Sequence, residues 1–170
     1  MSKLDEKRMI DDIKLLSLDM IQNAGSGHPG ICLSAAPMIY TLFANHMVYD
    51  IDRPEWCNRD RFVLSAGHGS ALLYATIYAT TGDFSIDDLK KYRHINSQTP
   101  GHPELNIKKR IEATTGSLGQ GFATAVGMAI AEKHLESKYN TKKLTLFNYN
   151  TYCLCSDGDL MEGISYEAAS

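Results

Sequence analysis

The first part of the chain repeats its apolar residues with the period of a helix. Apolar side chains recur at helical spacing between Met9 and Met20, which predicts an amphipathic helix over residues 6–23. The pattern stops at residues 24–30, where three glycines and a proline predict a loop. A second helix is expected over residues 34–46.

Further along, short apolar runs alternate with helical patterns. The runs predict three strands, at residues 62–64, 144–147 and 152–155. Helices are expected over residues 71–80, over residues 85–91, after Gly121 and from Leu160 onward. Ser85 and Asp88 resemble a capping box at the start of the second of these helices, and a long loop is expected over residues 92–115. This alternation predicts an α/β fold, with a mostly parallel sheet flanked by helices.

Composition narrows the class of protein. The 170 residues are 44% apolar and 22% charged, which is enough apolar surface for the core of one globular domain. The formal charge of −3 argues against a nucleic-acid partner, and no apolar run approaches the length of a membrane span. Four cysteines without a C-x-x-C pair or a secretion signal predict reduced thiols in a cytoplasmic protein.

The helical pattern that begins at Leu160 is still open at Ser170 and carries no C-terminal stop signal. We therefore expect the sequence to be a fragment that is truncated at its C-terminal end. The alternative is a chain that exists at this length as a non-catalytic binding or dimerisation module.

Three of the six histidines lie in glycine-flanked loops. His28 and His102 each occur in a Gly-His-Pro tripeptide, and His68 follows the first predicted strand. A proline after a histidine favours extended backbone at the histidine, so the imidazole is presented at a fixed place. Loops at the carboxyl ends of parallel strands are where α/β sheets bind ligands. Taken singly, each histidine could equally be an ordinary surface residue.

Residues 25–30 also match G-x-G-x-x-G, the pattern of dinucleotide-binding proteins. That pattern needs a strand before the glycines, whereas a helix is predicted here. Pro29 also removes a backbone N–H where phosphate would need one. A nicotinamide-dependent oxidoreductase is therefore the weaker alternative.

Two further segments could hold a phosphorylated cofactor. Residues 116–121 are glycine-rich and precede a helix, which suits an anion, although close packing explains the glycines equally well. Residues 156–159 read as an acidic turn after a strand, where a carboxylate can hold a divalent cation that also grips a diphosphate. A solvated turn is the alternative. Glu162 is expected in the first turn of the helix that follows.

Five motifs in one order resemble the transketolase family of thiamine-diphosphate enzymes over nearly the whole chain. The resemblance implies that residues 1–170 are the N-terminal portion of the domain that binds the diphosphate. The motifs are Ser-Gly-His-Pro-Gly at 26–30, Asn-Arg-Asp-Arg-Phe-Val-Leu-Ser with Gly-His at 58–68, Thr-Pro-Gly-His-Pro-Glu at 99–104, Thr-Thr-Gly-Ser-Leu-Gly-Gln-Gly at 114–121, and Asp-Gly with Leu-Met-Glu-Gly-Ile-Ser at 157–165. Dihydroxyacetone synthase is a close relative with a similar pattern.

The resemblance implies transfer of a two-carbon ketol unit between sugar phosphates in the pentose phosphate pathway, by a homodimer. It implies that His28 and His102 contact the donor ketose, that His68 binds the diphosphate of thiamine diphosphate, that Asp157 binds Mg²⁺ or Ca²⁺, and that Glu162 lies near the dimer interface. It further implies that the thiamine diphosphate is lined by Gly116, Ser117, Leu118 and Gly158.

Three departures from the family pattern matter. Ser156 stands where the family has glycine, which could crowd the diphosphate, and Ser117 stands where proline is usual. The chain also ends before the family's second metal motif and its pyrimidine-binding domain. We therefore expect the isolated 170-residue chain to be inactive.

Overall fold

The structure is a computed structural model that describes residues 3–170. Two compact units divide the chain: residues up to Met47 together with His68–Pro103, and Val48–Gly67 together with Glu104–Ser170. The sequence shows no boundary between them, because the chain passes from one unit to the other three times. No helix within the described residues is long and apolar enough to cross a membrane.

The first unit is built from helices. α1 spans Lys3–Ala24 and packs against α4, which spans Ser70–Thr81. Both helices were expected from the sequence, and both are confirmed. α4 buries every residue of its first two turns, so it forms the centre of this unit. It ends at Gly82, whose φ of +73° is the left-handed conformation that glycine adopts most readily.

The helix predicted over residues 34–46 begins earlier and is broken. α2 spans Pro29–Ser34 and α3 spans Ala36–Thr41, followed by a π-helical turn at Leu42–His46. The prediction of a loop through residue 30 is therefore wrong at its end, because proline is favoured as the first residue of a helix. Pro37 has no N–H to continue the ladder from α2, which accounts for the break before α3.

α5 spans Ile86–Lys90 and begins with the predicted capping box. The Ser85 hydroxyl accepts a hydrogen bond from the Asp88 N–H at 3.1 Å, and Asp88 Oδ2 accepts one from the Ser85 N–H at 2.9 Å. Each side chain thus satisfies one backbone donor that the helix leaves open. The long loop expected after this helix is present and carries His102.

The second unit contains a parallel sheet flanked by helices, so the predicted fold class is confirmed. Within the described residues the sheet has two strands, β1 at Arg61–Leu64 and β2 at Thr151–Leu154, paired in register from the first residue to the last. α6 spans Gln120–Tyr139 and packs on both strands. The chain continues through α7 at Asp157–Met161 and α8 at Gly163–Ala169.

The strand predicted at residues 144–147 is wrong. The N–H groups of Leu146 and Phe147 both donate to the side-chain oxygen of Asn140, at 2.8 and 3.0 Å. An asparagine side chain therefore takes the donors that a neighbouring strand would otherwise have used. Leu144 and Leu146 are exposed, which shows that this apolar run does not belong to the core.

The prediction of an acidic turn at residues 156–159 is also wrong. Ser156 is the N-cap residue of α7, and Asp157 and Asp159 lie inside that helix. Glu162 is not in the first turn of a helix as expected. Its backbone is extended, with φ −71° and ψ 140°, and it joins α7 to α8 as an exposed linking residue.

Candidate functional site

Two of the three glycine-flanked histidines are in contact in the first unit. His28 caps the start of α2 with φ −124° and ψ 93°, which is the extended conformation that the following proline favours. His68 lies in a 3₁₀ turn at Gly67–Gly69 between β1 and α4. The two ring centroids are 5.1 Å apart in an edge-to-face arrangement. Residues separated by forty positions thus present two imidazoles side by side.

The surroundings of the third histidine, His102, in the same unit lower its pKa. Partial burial lowers the pKa of His102, and electrostatic interactions with Arg93 and His28 lower it further. Because the ordinary pKa of histidine is near 6.5, a lowered value leaves this imidazole neutral at pH 7. A neutral exposed imidazole can accept a proton or donate a hydrogen bond, as general acid–base chemistry requires.

Arg93 touches both Gly-His-Pro segments. Its Nη1 donates to the hydroxyl of Ser26 at 2.9 Å, two residues before His28. On its other side, a Cβ added to Gly101 would lie 3.2 Å from the guanidinium, so the backbone before His102 approaches this side chain closely. The resemblance did not single out this arginine, and its partner Ser26 is 67 positions away in sequence.

Two side chains of α4 anchor the loop around His102. Tyr74 Oη donates to the carbonyl of Pro100 at 3.0 Å, and the Ser70 hydroxyl donates to the carbonyl of Gly101 at 2.7 Å. Both side chains belong to fully buried residues of α4. The loop is therefore anchored by its backbone carbonyls, which leaves the imidazole exposed.

In the second unit the glycine-rich segment packs against the end of β1. A Cβ on Gly121 would lie 2.4 Å from Cα of Ser65, and one on Gly67 would lie 2.8 Å from the backbone nitrogen of Gly116. Both are closer than real side chains come, so these glycines permit direct contact between backbones. Beside them the hydroxyl of Thr115 is buried and has no hydrogen-bond partner among the described residues.

One buried carboxylate joins the carboxyl ends of the two strands to this segment. Asp159 is completely buried, and its Oδ1 accepts hydrogen bonds from the Ser65 hydroxyl and the Gly119 N–H, both at 2.9 Å. Its Oδ2 accepts bonds from the N–H and the hydroxyl of Ser156, both at 2.8 Å. The four bonds use both lone pairs of each oxygen, so the carboxylate is fully satisfied.

The protonation of Asp159 follows from these bonds. Burial by itself would raise the pKa of Asp159. Hydrogen bonds from the backbone of Gly119, from Ser156 and from the Ser65 hydroxyl outweigh burial and hold the pKa below its usual range. The group is therefore ionised at neutral pH and acts as a structural anion. Sequence reasoning missed it, although Ser156 and Asp159 repeat the Ser-x-x-Asp spacing that identified the Ser85 cap.

Ser156 does not crowd the position next to it. Its backbone is extended at φ −93° and ψ 168°, a conformation open to any residue, and its hydroxyl turns toward Asp159. The hydroxyl also accepts the Asp159 N–H at 3.2 Å, which completes a capping box. A serine in place of the family glycine is thus accommodated, because its hydroxyl is bonded to the buried Asp159.

Asp157 differs from Asp159 in its exposure and in its hydrogen bonds. It is exposed, its Oδ1 accepts a hydrogen bond from the Gly158 N–H at 3.0 Å, and it makes no ion pair among residues 3–170. No group of three or more histidine, cysteine, aspartate or glutamate side chains there could hold a metal ion alone. One open carboxylate suits Mg²⁺ shared with phosphate oxygens, because this ion commonly takes one or two carboxylates.

The second unit brings several predicted site residues together. A Cβ on Gly158 would lie 3.5 Å from the side chain of Leu118, and one on Gly119 would lie 2.9 Å from Cβ of Glu162. Gly119 has a φ of +80°, which few other residues tolerate. The segment at Gly116, Ser117 and Leu118 therefore lies against the start of α7 and the residue that follows it.

The dinucleotide alternative lacks its structural context. α1 ends at Ala24, so a helix and not a strand leads into the glycines at 25–30.

Comparison with known proteins agrees with the motifs. A family model described as "Transketolase, thiamine diphosphate binding domain" matches residues 5–170. The chain is similar to transketolase of Bacillus subtilis, at 55% identity over 165 residues, and of Aquifex aeolicus, at 52% over 169 residues. These alignments cover 97% and 99% of this chain.

Solved structures give the same picture. Transketolase from Leishmania mexicana and transketolase from Pichia stipitis in complex with sedoheptulose 7-phosphate each match with a TM-score of 0.91 at 43% identity. Each match covers 99% of this chain and 25% of the solved chain. The chain spans about a quarter of the length of the curated relatives it matches.

Proposed function

This chain belongs to the transketolase family, and we propose that it forms the N-terminal portion of a thiamine-diphosphate-binding domain. The whole protein transfers a two-carbon ketol unit from a ketose phosphate to an aldose phosphate, a reaction of the pentose phosphate pathway. The isolated chain is inactive, since it spans a quarter of its relatives' length. Transfer of the kind that dihydroxyacetone-synthase-like enzymes carry out is the alternative.

The observation that carries this proposal is the arrangement of the histidines. His28 and His68 stand 5.1 Å apart, and the lowered pKa of His102 keeps its imidazole neutral. Sugar hydroxyls and a carbonyl need neutral groups that both donate and accept protons near pH 7. We assign His28 and His102 to the donor ketose and His68 to the diphosphate of the cofactor.

The residues of the second unit fit thiamine diphosphate. The bound cofactor supplies the nucleophilic carbon that adds to the ketose and the electron sink for the two-carbon unit. Gly116, Ser117 and Leu118 line it through their backbone, and Gly158 approaches its diphosphate. Support comes from the unpartnered buried hydroxyl of Thr115 beside Gly116, which an added polar group would satisfy.

Asp157 holds the divalent cation, Mg²⁺ or Ca²⁺, that accompanies the diphosphate. The exposed carboxylate without an ion pair supports this role, and the buried, fully bonded Asp159 is unsuited to it. Glu162, exposed between α7 and α8, contributes to the interface of a homodimer. Solved transketolase structures hold sedoheptulose 7-phosphate and fructose 6-phosphate, which supports sugar phosphates as substrates here.

The test compares two histidine variants of the full-length protein. Ketol transfer from xylulose 5-phosphate to ribose 5-phosphate is measured together with thiamine diphosphate affinity. His28→Ala is expected to lower turnover by about 10²–10⁴-fold and to change cofactor affinity little. His134→Ala, an exposed histidine of α6, is the matched control and should retain activity. Full turnover by His28→Ala would contradict the assignment, as would a wild-type protein without ketol transfer.

A further inference from the structure

Two thiols stand close together at the end of the sheet in the second unit. Cys153 lies in β2 and Cys155 directly follows the strand, so the two side chains leave the backbone on the same face. Their sulfur atoms are 3.4 Å apart, and both residues are free and only partly buried. The proposed transfer reaction uses neither of them.

The spacing of the two residues permits a bond between the sulfurs. Residues two apart in a strand have Cα atoms about 6.6–6.8 Å apart, at the upper end of the range that disulfides span. A disulfide needs the sulfurs at about 2.05 Å, so each must move by well under 1 Å. Closure therefore requires a slight bend of the strand but no rearrangement of the fold.

We propose that Cys153 and Cys155 form a reversible oxidation site that closes into an intrachain disulfide by exchange with a low-molecular-weight disulfide. One cysteine loses its proton and attacks a sulfur of the small disulfide, which releases one small thiolate. The other cysteine then displaces the second small thiolate from the mixed disulfide. The protein loses two protons and two electrons in all, and the small disulfide takes them up to become two thiols.

Oxidation at this place acts on the neighbouring strand. The carbonyl of Leu154, between the two cysteines, accepts hydrogen bonds from the N–H groups of Ser65 at 3.0 Å and Ala66 at 3.3 Å. Bending the backbone at Leu154 weakens these bonds. Ser65 in turn donates its hydroxyl to Asp159, so closure loosens the group of bonds that joins the strand ends to the glycine-rich segment.

The test follows the mass of the cysteines in the full-length protein. Reduced protein is incubated with oxidised glutathione, alkylated, and cleaved after Lys143, so that both cysteines lie in a peptide beginning at Leu144. We expect that peptide to be two hydrogens lighter and free of alkylation, and dithiothreitol to reverse the change. Exposed Cys57 reports that the oxidant has reacted.

A variant with one of the two thiols removed sharpens the result. In Cys153→Ser, Cys155 should keep its glutathione adduct, because no second thiol remains to displace it. In wild type, backbone amide exchange at Ser65 should become faster after oxidation, and in Cys153→Ser it should stay unchanged. The proposal is wrong if Cys57 reacts while Cys153 and Cys155 are both alkylated, or if each carries its own glutathione. Unchanged exchange at Ser65 in the closed form would overturn the link to the strand.

Discussion

The hydroxyl of Ser65 donates a hydrogen bond to the carboxylate of Asp159 at 2.9 Å, although the two residues are 94 positions apart in sequence. Ser65 follows the first strand and Asp159 lies in the helix after the second. Because the carboxyl ends of parallel strands share one edge of the sheet, this bond closes the edge at which α/β proteins bind ligands. The same carboxylate also accepts the Gly119 N–H, so it fixes the segment proposed to line the cofactor.

Asp159→Asn should lower the free energy of unfolding by about 2–4 kcal/mol. The amide presents two hydrogens to groups that are themselves donors, and buried donors without acceptors are costly. Asp157→Asn, an exposed neighbour in the same helix, is the control and should unfold within about 0.5 kcal/mol of wild type. Urea unfolding of both variants measures the difference. Equal midpoints would show that the Asp159 carboxylate does not contribute to stability in this way.

The contribution of Asp159 to the free energy of unfolding should decrease as the pH falls into the acid range. Its pKa is lowered in the folded protein, so its contribution to stability is present above the unfolded value of about 3.9. That contribution disappears as the pH falls through the folded pKa. The stability difference between wild type and Asp159→Asn should therefore be largest near neutral pH and shrink in acid. A difference that grows on acidification would mean that the carboxylate is protonated in the fold.

Gly121→Ala should destabilise the protein by about 1–3 kcal/mol. The added Cβ would lie 2.4 Å from a backbone atom of Ser65, so α6 would have to move away from β1. Gly127→Ala lies two turns further along the same helix with open space around it. That control should stabilise by about 0.5–1 kcal/mol, since alanine favours helix interiors. Thermal unfolding distinguishes the two, and equal effects would contradict the close packing.

Ser156→Ala should cost about 1 kcal/mol, the usual loss when an N-cap hydroxyl is removed. The capping box with Asp159 is the reason, because the hydroxyl both donates to and accepts from that residue. Ser156→Thr keeps a capping hydroxyl and should recover most of the loss. If serine instead crowds the neighbouring position, Ser156→Ala would be neutral or stabilising.

Arg93→Gln should raise the pKa of His102 toward its ordinary value. Burial and the guanidinium charge both lower that pKa, and the substitution removes the charge alone. Titration of the His102 ring protons by NMR measures the change. Lys91→Gln removes an exposed charge from the same segment and should leave the His102 titration close to wild type. An unchanged midpoint in Arg93→Gln would mean that Arg93 only supports the two loops.

Local sequence signals identified the elements whose causes are local. The periodic apolar stripe predicted α1, the Ser85–Asp88 pair predicted the cap of α5, and Pro29 predicted the extended backbone of His28. The strand expected at 144–147 failed because one side chain, Asn140, took over its donors. Apolar content alone gives no sign of such a bond.

Residues of the candidate site likewise divide into those with a local sequence signal and those without one. Glycine-flanked histidines and the exposed Asp157 could be singled out from neighbouring residues in sequence. Asp159 could not, because two of its four bonds come from Ser65 and Gly119, which lie far from it in sequence. Arg93 was missed for a similar reason, since its partner Ser26 is 67 positions away.

The most direct test of the account is thiamine diphosphate binding by the full-length protein, titrated with and without Mg²⁺. Wild type should bind the cofactor in a metal-dependent manner, and Asp157→Ala should weaken binding chiefly by removing that dependence. Glu167→Ala, an exposed acidic residue of α8, is the control and should bind like wild type. A wild-type protein that does not bind, or an Asp157→Ala variant with unchanged metal dependence, would contradict the assignment of this domain.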